Sequence, residues 1–146
     1  MNAMDYKKQK GFTMIEMVIV TAILSILIAI AIPQMTQFIK GYRLNGATRV
    51  AWSDMQNARM TAIKENRSIR VEFTSPTSYR FVRTDTSEVI STRDLTAAYP
   101  NVTVISSGGS IIFNSRGTTD PTTITVSLSG STKEFTIAWT GRIQGI

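Results

Sequence analysis

Lys10-Gly11-Phe12-Thr13-Met14-Ile15-Glu16-Met17 opens an apolar run that ends at Pro33, and the fold follows from how that run is read. From Met17 to Ile32 no residue is charged, and only Thr21 and Ser25 interrupt the apolar side chains. A helix from Thr13 to Ile32 would rise about 30 Å, enough to cross a bilayer. Glu16 is the exception: an ionisable group just inside such a run costs about 3 kcal/mol on insertion scales and by default marks a functional position. Something must answer that charge. Lys7, Lys8 and Lys10 precede the run, so the positive-inside rule keeps the N-terminus in the cytoplasm and sends the roughly 113 residues after Pro33 across the membrane.

The same eight residues closely resemble the class III signal of type IV pilins and type II secretion pseudopilins, with Met14 where leucine is usual. The resemblance implies that a prepilin peptidase cuts after Gly11 and methylates the new amino terminus at Phe12. Glu16 then becomes the fifth mature residue, and Pro33 falls where the family's long helix commonly carries a proline at its first kink. The resemblance also implies an inner-membrane protein with a periplasmic C-terminal domain, handled by an inner-membrane assembly platform. The chemistry of Glu16 fits. Cleavage would free an α-amino group that is largely protonated at neutral pH, and Phe12 and Glu16 stand four apart on one helix face. The carboxylate would meet its own amino terminus or, as the resemblance implies, that of a neighbouring subunit, fixing the axial register of a helical filament. A buried charge pair gives specificity more dependably than stability.

Two plainer readings compete. A secretory signal peptide would also show lysines and an apolar core, and Ala29-Ile30-Ala31 supplies an A-x-A pattern before Ile32. An ordinary single-span anchor explains the hydrophobicity but not Glu16. The length of the run and the acid near its start weigh against both.

At 146 residues, 42% hydrophobic and 18% charged, the chain is one small domain on a membrane helix. Its formal net charge is +6; residues 1–11 hold Lys7, Lys8, Lys10 and Asp5, a net +2, so the rest carries +4. Cysteine and histidine are both missing from the composition. An exported domain without a disulfide must stabilise itself by packing. Many major pilins close a C-terminal loop with a disulfide, so the resemblance narrows toward a minor pilin or pseudopilin. Imidazole bases, thiolate nucleophiles and thiolate zinc sites are excluded, and there is no P-loop. No enzyme, cofactor or metal site is expected. Asp85 and Glu88 could offer oxygens to calcium, but their spacing matches no EF-hand loop, and two acids in a polar turn are usually just solvated.

Past Pro33 the helix continues with a changed character. Leu44, Ala47, Ala51, Met55, Ala58 and Ala62 recur at intervals of three and four, an amphipathic stripe. Arg43, Arg49, Asp54, Arg59 and Lys64 are assigned to the opposite side. Met35, Phe38, Ile39 and Tyr42 serve either membrane-interface anchoring or helix contacts inside a filament. Asn66 is the expected stop, because Asn tolerates the left-handed conformation. From Arg67 the period becomes two. Ile69, Val71 and Phe73, then Tyr79 and Phe81, form a hairpin around Thr74-Ser75-Pro76-Thr77-Ser78. Further strands are expected at 89–90, 102–105 and 111–113. Ile124, Val126 and Leu128 should face Phe135, Ile137 and Trp139 across Ser129-Gly130-Ser131-Thr132. The expected interior is Val71, Phe73, Phe81, Phe113, Val126, Phe135, Ile137 and Trp139, completed by the stripe, since about 80 residues seldom bury enough apolar area alone.

A second resemblance covers the last third. Ile112-Phe113-Asn114-Ser115-Arg116-Gly117-Thr118, then Phe135-Thr136-Ile137-Ala138-Trp139 and Thr140-Gly141-Arg142-Ile143, are similar to the C-terminal domain shared by general secretion pathway H pseudopilins and fimbrial T minor pilins. One branch of that family resembles a DNA receptor with a C-terminal Gly-Arg-x-Arg motif. Here Gln144 replaces the second arginine, which weakens the inference because Lys and Arg contacts to phosphate dominate nonspecific affinity. Arg142 remains the position where DNA contact would fall, with Arg116 and Lys133 as further cations; a solvated or salt-bridged Arg142 outweighs DNA contact about threefold. Nucleic acid is therefore not an expected partner.

The expected fold class is α+β: a long N-terminal helix, membrane-spanning then amphipathic, on a mostly antiparallel β domain. The expected divisions are a leader at 1–11, a transmembrane helix at 12–33, an amphipathic helix at 34–66 and a periplasmic β domain at 67–146. The implied partners are other pilin or pseudopilin subunits, prepilin peptidase, the assembly platform and membrane lipid. The expected function is that of a minor pseudopilin supporting export of folded periplasmic proteins through type II secretion, with a minor type IV pilin as the alternative.

Overall fold

The structure, a computed structural model, describes residues 11–145. The expected leader lies outside them except for Gly11. Two compact units meet in the chain between Phe38 and Ile39.

In the first unit the chain becomes helical as α1 (Met14–Glu65). Thr13 caps the start: its Oγ1 accepts the backbone N–H of Glu16 at 3.2 Å. This Thr-x-x-Glu spacing is that of a capping box. The Thr21 hydroxyl donates to the Met17 and Val18 carbonyls and that of Ser25 to Ala22, so both hydroxyls are satisfied within the helix. The stretch is long and apolar enough to cross a membrane, and none of it is buried in protein. α1 continues through Pro33.

In the second unit the stripe is as the spacing predicts. Leu44, Ala47, Ala51, Met55, Ala58 and Ala62 are all buried, and five of the six are small or unbranched enough for close approach. The helix ends at Asn66, whose φ is 53°. Asn66 N–H bonds the Ile63 carbonyl at 3.2 Å and Arg67 N–H bonds that of Ala62 at 3.1 Å, the two bonds of a Schellman stop.

Eight strands follow: β1 (Ile69–Ser75), β2 (Ser78–Arg83), β3 (Val89–Asp94), β4 (Thr103–Ser106), β5 (Ile111–Phe113), β6 (Thr122–Leu128), β7 (Ser131–Ile137) and β8 (Ile143–Gln144). They form two four-stranded sheets, ordered β3-β2-β1-β5 and β4-β6-β7-β8, and every pairing is antiparallel. Ser129 and Gly130, with φ of 49° and 87°, make the tight turn between β6 and β7 that matches the twist of the flanking strands. β6 alternates strictly, burying Thr122, Ile124, Val126 and Leu128. The inner faces of both sheets and the α1 stripe share one core.

That core corrects the expected interior in three places. Val71, Phe113, Val126, Phe135 and Ile137 are buried, but Phe73 and Phe81 are only half-buried and Trp139 is 67% exposed. Phe81 sits at a bulge: the β2–β3 register shifts between Phe81 and Val82, and Val82 is buried. Trp139 lies past the end of β7, where Gly141 N–H bonds Ala138 O at 2.8 Å and Ala138 N–H bonds Arg142 O at 2.9 Å. That turn ends the alternation one step before it would have turned Trp139 inward. The centre belongs instead to Tyr79, fully buried and flanked by Phe73 and Phe81 at ring separations of 5.9 and 5.7 Å.

Candidate functional site

The predicted processing and register residues lie together at the start of α1. Gly11, Phe12 and Thr13 precede the helix, and Glu16 falls in its first turn. There the carboxylate is favoured by the helix dipole. Phe12, Ile15 and Glu16 are all exposed, so both the junction and the acid are open to another molecule.

Asp54, assigned from sequence to the outer side of the helix, is 6% exposed. Arg93 on β3 grips it with two bonds, Nε to Oδ2 at 2.7 Å and Nη2 to Oδ1 at 3.0 Å. The Tyr79 hydroxyl donates to the same Oδ2 at 2.8 Å. Burial, and then the neighbouring Asp54 charge, push the Tyr79 phenol far above its ordinary value. Asp54 also lines a cleft of about 170 Å³ between α1 and β3, together with Asn57, Thr61 and Ser91. Its carboxylate is already satisfied there, so the cleft offers no free acid or base of the kind general acid–base chemistry needs.

The two acids considered for calcium are each held by an arginine. Asp85 accepts from Arg67 at 2.8 Å and Glu88 from Arg83 at 2.6 Å. Arg83 also forks onto Glu65, the last residue of α1, at 2.8 and 3.0 Å. That fork holds the Glu65 carboxyl below its ordinary 4.5, against a smaller opposing effect of burial. Glu72 is held below 4.5 in the same way, chiefly by Arg80.

The C-terminal motif residues form a corner that sequence alone did not assemble. Asn114 Oδ1 accepts the backbone N–H groups of Arg116 and Thr118 at 3.0 and 3.1 Å, closing a loop on Gly117. Gly117 and Gly141 have φ of 76° and 72° and face each other; a Cβ added at Gly141 would stand 1.8 Å from the Gly117 carbonyl oxygen. Arg59 reaches from α1 to tie both turns, Nε to Gly117 O at 3.1 Å and Nη2 to Thr140 O at 3.4 Å. The glycines are thus required by close approach and by a left-handed backbone. Arg116 and Arg142, each beside one of these glycines, are brought to the same corner, and both are exposed. Lys133 lies on β7, half-buried and paired in register with Val126. Arg59, expected on the outer side from its spacing, is half-buried and held by its bonds to the Gly117 and Thr140 carbonyls. Asp54 was legible after all, since it stands three residues after Ala51 and four before Ala58, within the stripe.

Comparison with known proteins follows the same two ends. The family described as the prokaryotic N-terminal methylation motif matches residues 6–32, and the type II transport protein GspH family matches residues 47–141. No curated protein sequence matches the chain. Among solved structures, the type IV minor pilin FimU of Pseudomonas aeruginosa (strain PAO1) is similar with a TM-score of 0.63 and 17% identity, over 75% of this chain and 92% of that one. The minor pseudopilin EpsH of the type II secretion system of Vibrio cholerae is similar with a TM-score of 0.60 and 11% identity, over 74% of this chain and 95% of that one. At these identities the likeness is one of fold. The methylation motif and the exposed apolar helix together point to membrane anchoring.

Proposed function

This chain belongs to the type II transport protein GspH family, and from that premise we propose that it is a minor pseudopilin of a type II secretion pseudopilus. Prepilin peptidase cuts after Gly11 and methylates Phe12. The segment 12–33 stays in the inner membrane, N-terminus toward the cytoplasm, until the assembly platform builds the subunit into a short periplasmic filament that helps folded proteins leave. The role is structural and not catalytic. The observation that best supports this is the placement of Glu16: a capped first helical turn, an acid four residues from the would-be amino terminus, and no other charge through Ile32. In a membrane that acid is tolerable when a cation meets it, and the Phe12 amino group of a neighbouring subunit supplies one only after cleavage.

The alternative, a minor type IV pilin, shares the N-terminal chemistry, and the likeness to FimU keeps it in view. DNA contact at Arg142 is tied to that alternative. The test is complementation of a host lacking the chain. Wild type restores release of folded exoproteins, whereas Glu16→Ala is cleaved and inserted but incorporated into filaments at least about tenfold less. Wild-type incorporation of Glu16→Ala would overturn the register role. Restored surface pili with unchanged exoprotein release would assign the chain to the pilus machine.

A further inference from the structure

The corner made by Gly117 and Gly141 gathers features that the subunit reading does not use. Arg116 and Arg142 are exposed and, among the described residues, make no ion pair. Trp139 is 67% exposed, and its carbonyl accepts the Thr119 N–H at 3.1 Å, which fixes its backbone beside the same corner. Ile63 on α1, 41% exposed, reaches Gly117 from the other side; its Cδ1 would lie 2.6 Å from a Cβ placed there. Arg59 braces the whole from behind, with two of its nitrogens committed to carbonyls. Tryptophan and arginine on a rigid backbone, with an aliphatic neighbour, are the residue types that dominate protein–protein hot spots.

We infer that this corner is a docking surface for an acidic segment of a partner protein, with Trp139 as the anchor and Arg116 and Arg142 as the charge partners. Charge complementarity selects the occupant. Asp54, Glu65, Glu72, Asp85 and Glu88 are all spent on arginines within the same unit. Of the remaining acids there, Asp94 accepts the Thr96 N–H and Glu134 the Thr125 hydroxyl, neutral donors that leave both charged, and Asp120 stands three residues after Gly117 in the sequence. Residues 39–146 hold 13 Lys and Arg against 8 Asp and Glu, so a second copy of this basic chain is repelled on balance by the patch and a more acidic partner is drawn to it. Two free guanidiniums are also few for nonspecific grip on a duplex, where affinity is built from six to ten phosphate contacts in strong binders. The apolar Ile63 and Trp139 surface suits a folded or helical protein segment better.

The inference adds a partner surface to the subunit reading, but it can fail while processing at Gly11 stands. The test uses the full-length chain in detergent micelles with Trp52→Phe, so that Trp139 alone reports. A short Glu-Leu peptide is the probe, with an equal-length Gln-Leu peptide and duplex DNA as comparators. The expected result is a saturable blue shift of Trp139 emission with Glu-Leu, weakened at least about tenfold in Arg116→Gln/Arg142→Gln and lost as salt rises to about 0.5 M. Both arginines are exposed, so an unchanged melting curve for that variant keeps the result interpretable. No shift, an equal shift with Gln-Leu, or tighter binding of DNA than of Glu-Leu overturns the inference.

Discussion

Asp54 shows how much one buried acid can organise at the residue scale. It joins α1 to β3 through Arg93 and to the core through Tyr79. Removing one member of a fully buried pair costs about 3–5 kcal/mol. Here Arg93 is 47% exposed and can turn to water, while the Tyr79 hydroxyl cannot. Asp54→Ala should therefore destabilise by about 2 kcal/mol, and pairing it with Tyr79→Phe should recover about 1 kcal/mol of that in a double-mutant cycle followed by denaturant melts. Simple additivity would mean that the phenol does not depend on the acid. The glycines give a second comparison. Gly130→Ala meets nothing within 4 Å and carries only the cost of a φ of 87°, about 1 kcal/mol. Gly141→Ala meets the Gly117 carbonyl oxygen as well, and should cost about 3 kcal/mol or more. Equal melting shifts for the two variants would show that the corner is not held closed.

At the scale of elements, the end of α1 is fastened to β2 by Arg83 and Glu65. Because the fold depresses the Glu65 carboxyl, its contribution is complete above the ordinary 4.5 and is lost as pH falls through the lower folded value. Glu72, depressed by Arg80, acts in the same direction. The melting temperature should hold from neutral pH down to about 5 and fall below 4.5, and Arg83→Gln should make that acid limb shallower. An acid limb unchanged in Arg83→Gln would rule out this fastening. The burial periodicity of α1 and the alternation of β6 were legible because each element shows one face to a single core. What escaped was decided by contacts outside each element's own periodicity. The bulge at Phe81 depends on β3, the outward Trp139 on the turn closed by Gly141, and the Arg59 tie on two turns that lie 58 and 81 residues further on. Asp54 escaped for another reason: its charge suggests the solvent side while its spacing puts it in the stripe, where Arg93 and Tyr79 make burial of an acid tolerable.

For the whole molecule, chemistry is concentrated at the two ends of the sequence. The first end carries an apolar helix with one acid, suited to a membrane and to neighbours of the same build. The second carries a corner of two glycines, two exposed arginines and an exposed tryptophan, tied down by Arg59 from α1. Between them, the paired sheets and the alanine stripe provide a core that needs no disulfide. The proposed function requires a new amino terminus four residues before Glu16. Intact mass spectrometry of the chain isolated from host membranes tests this most directly. A mass corresponding to a polypeptide that begins at N-methylated Phe12 is the predicted result; one that retains residues 1–11, or that begins near Ile32, would contradict it.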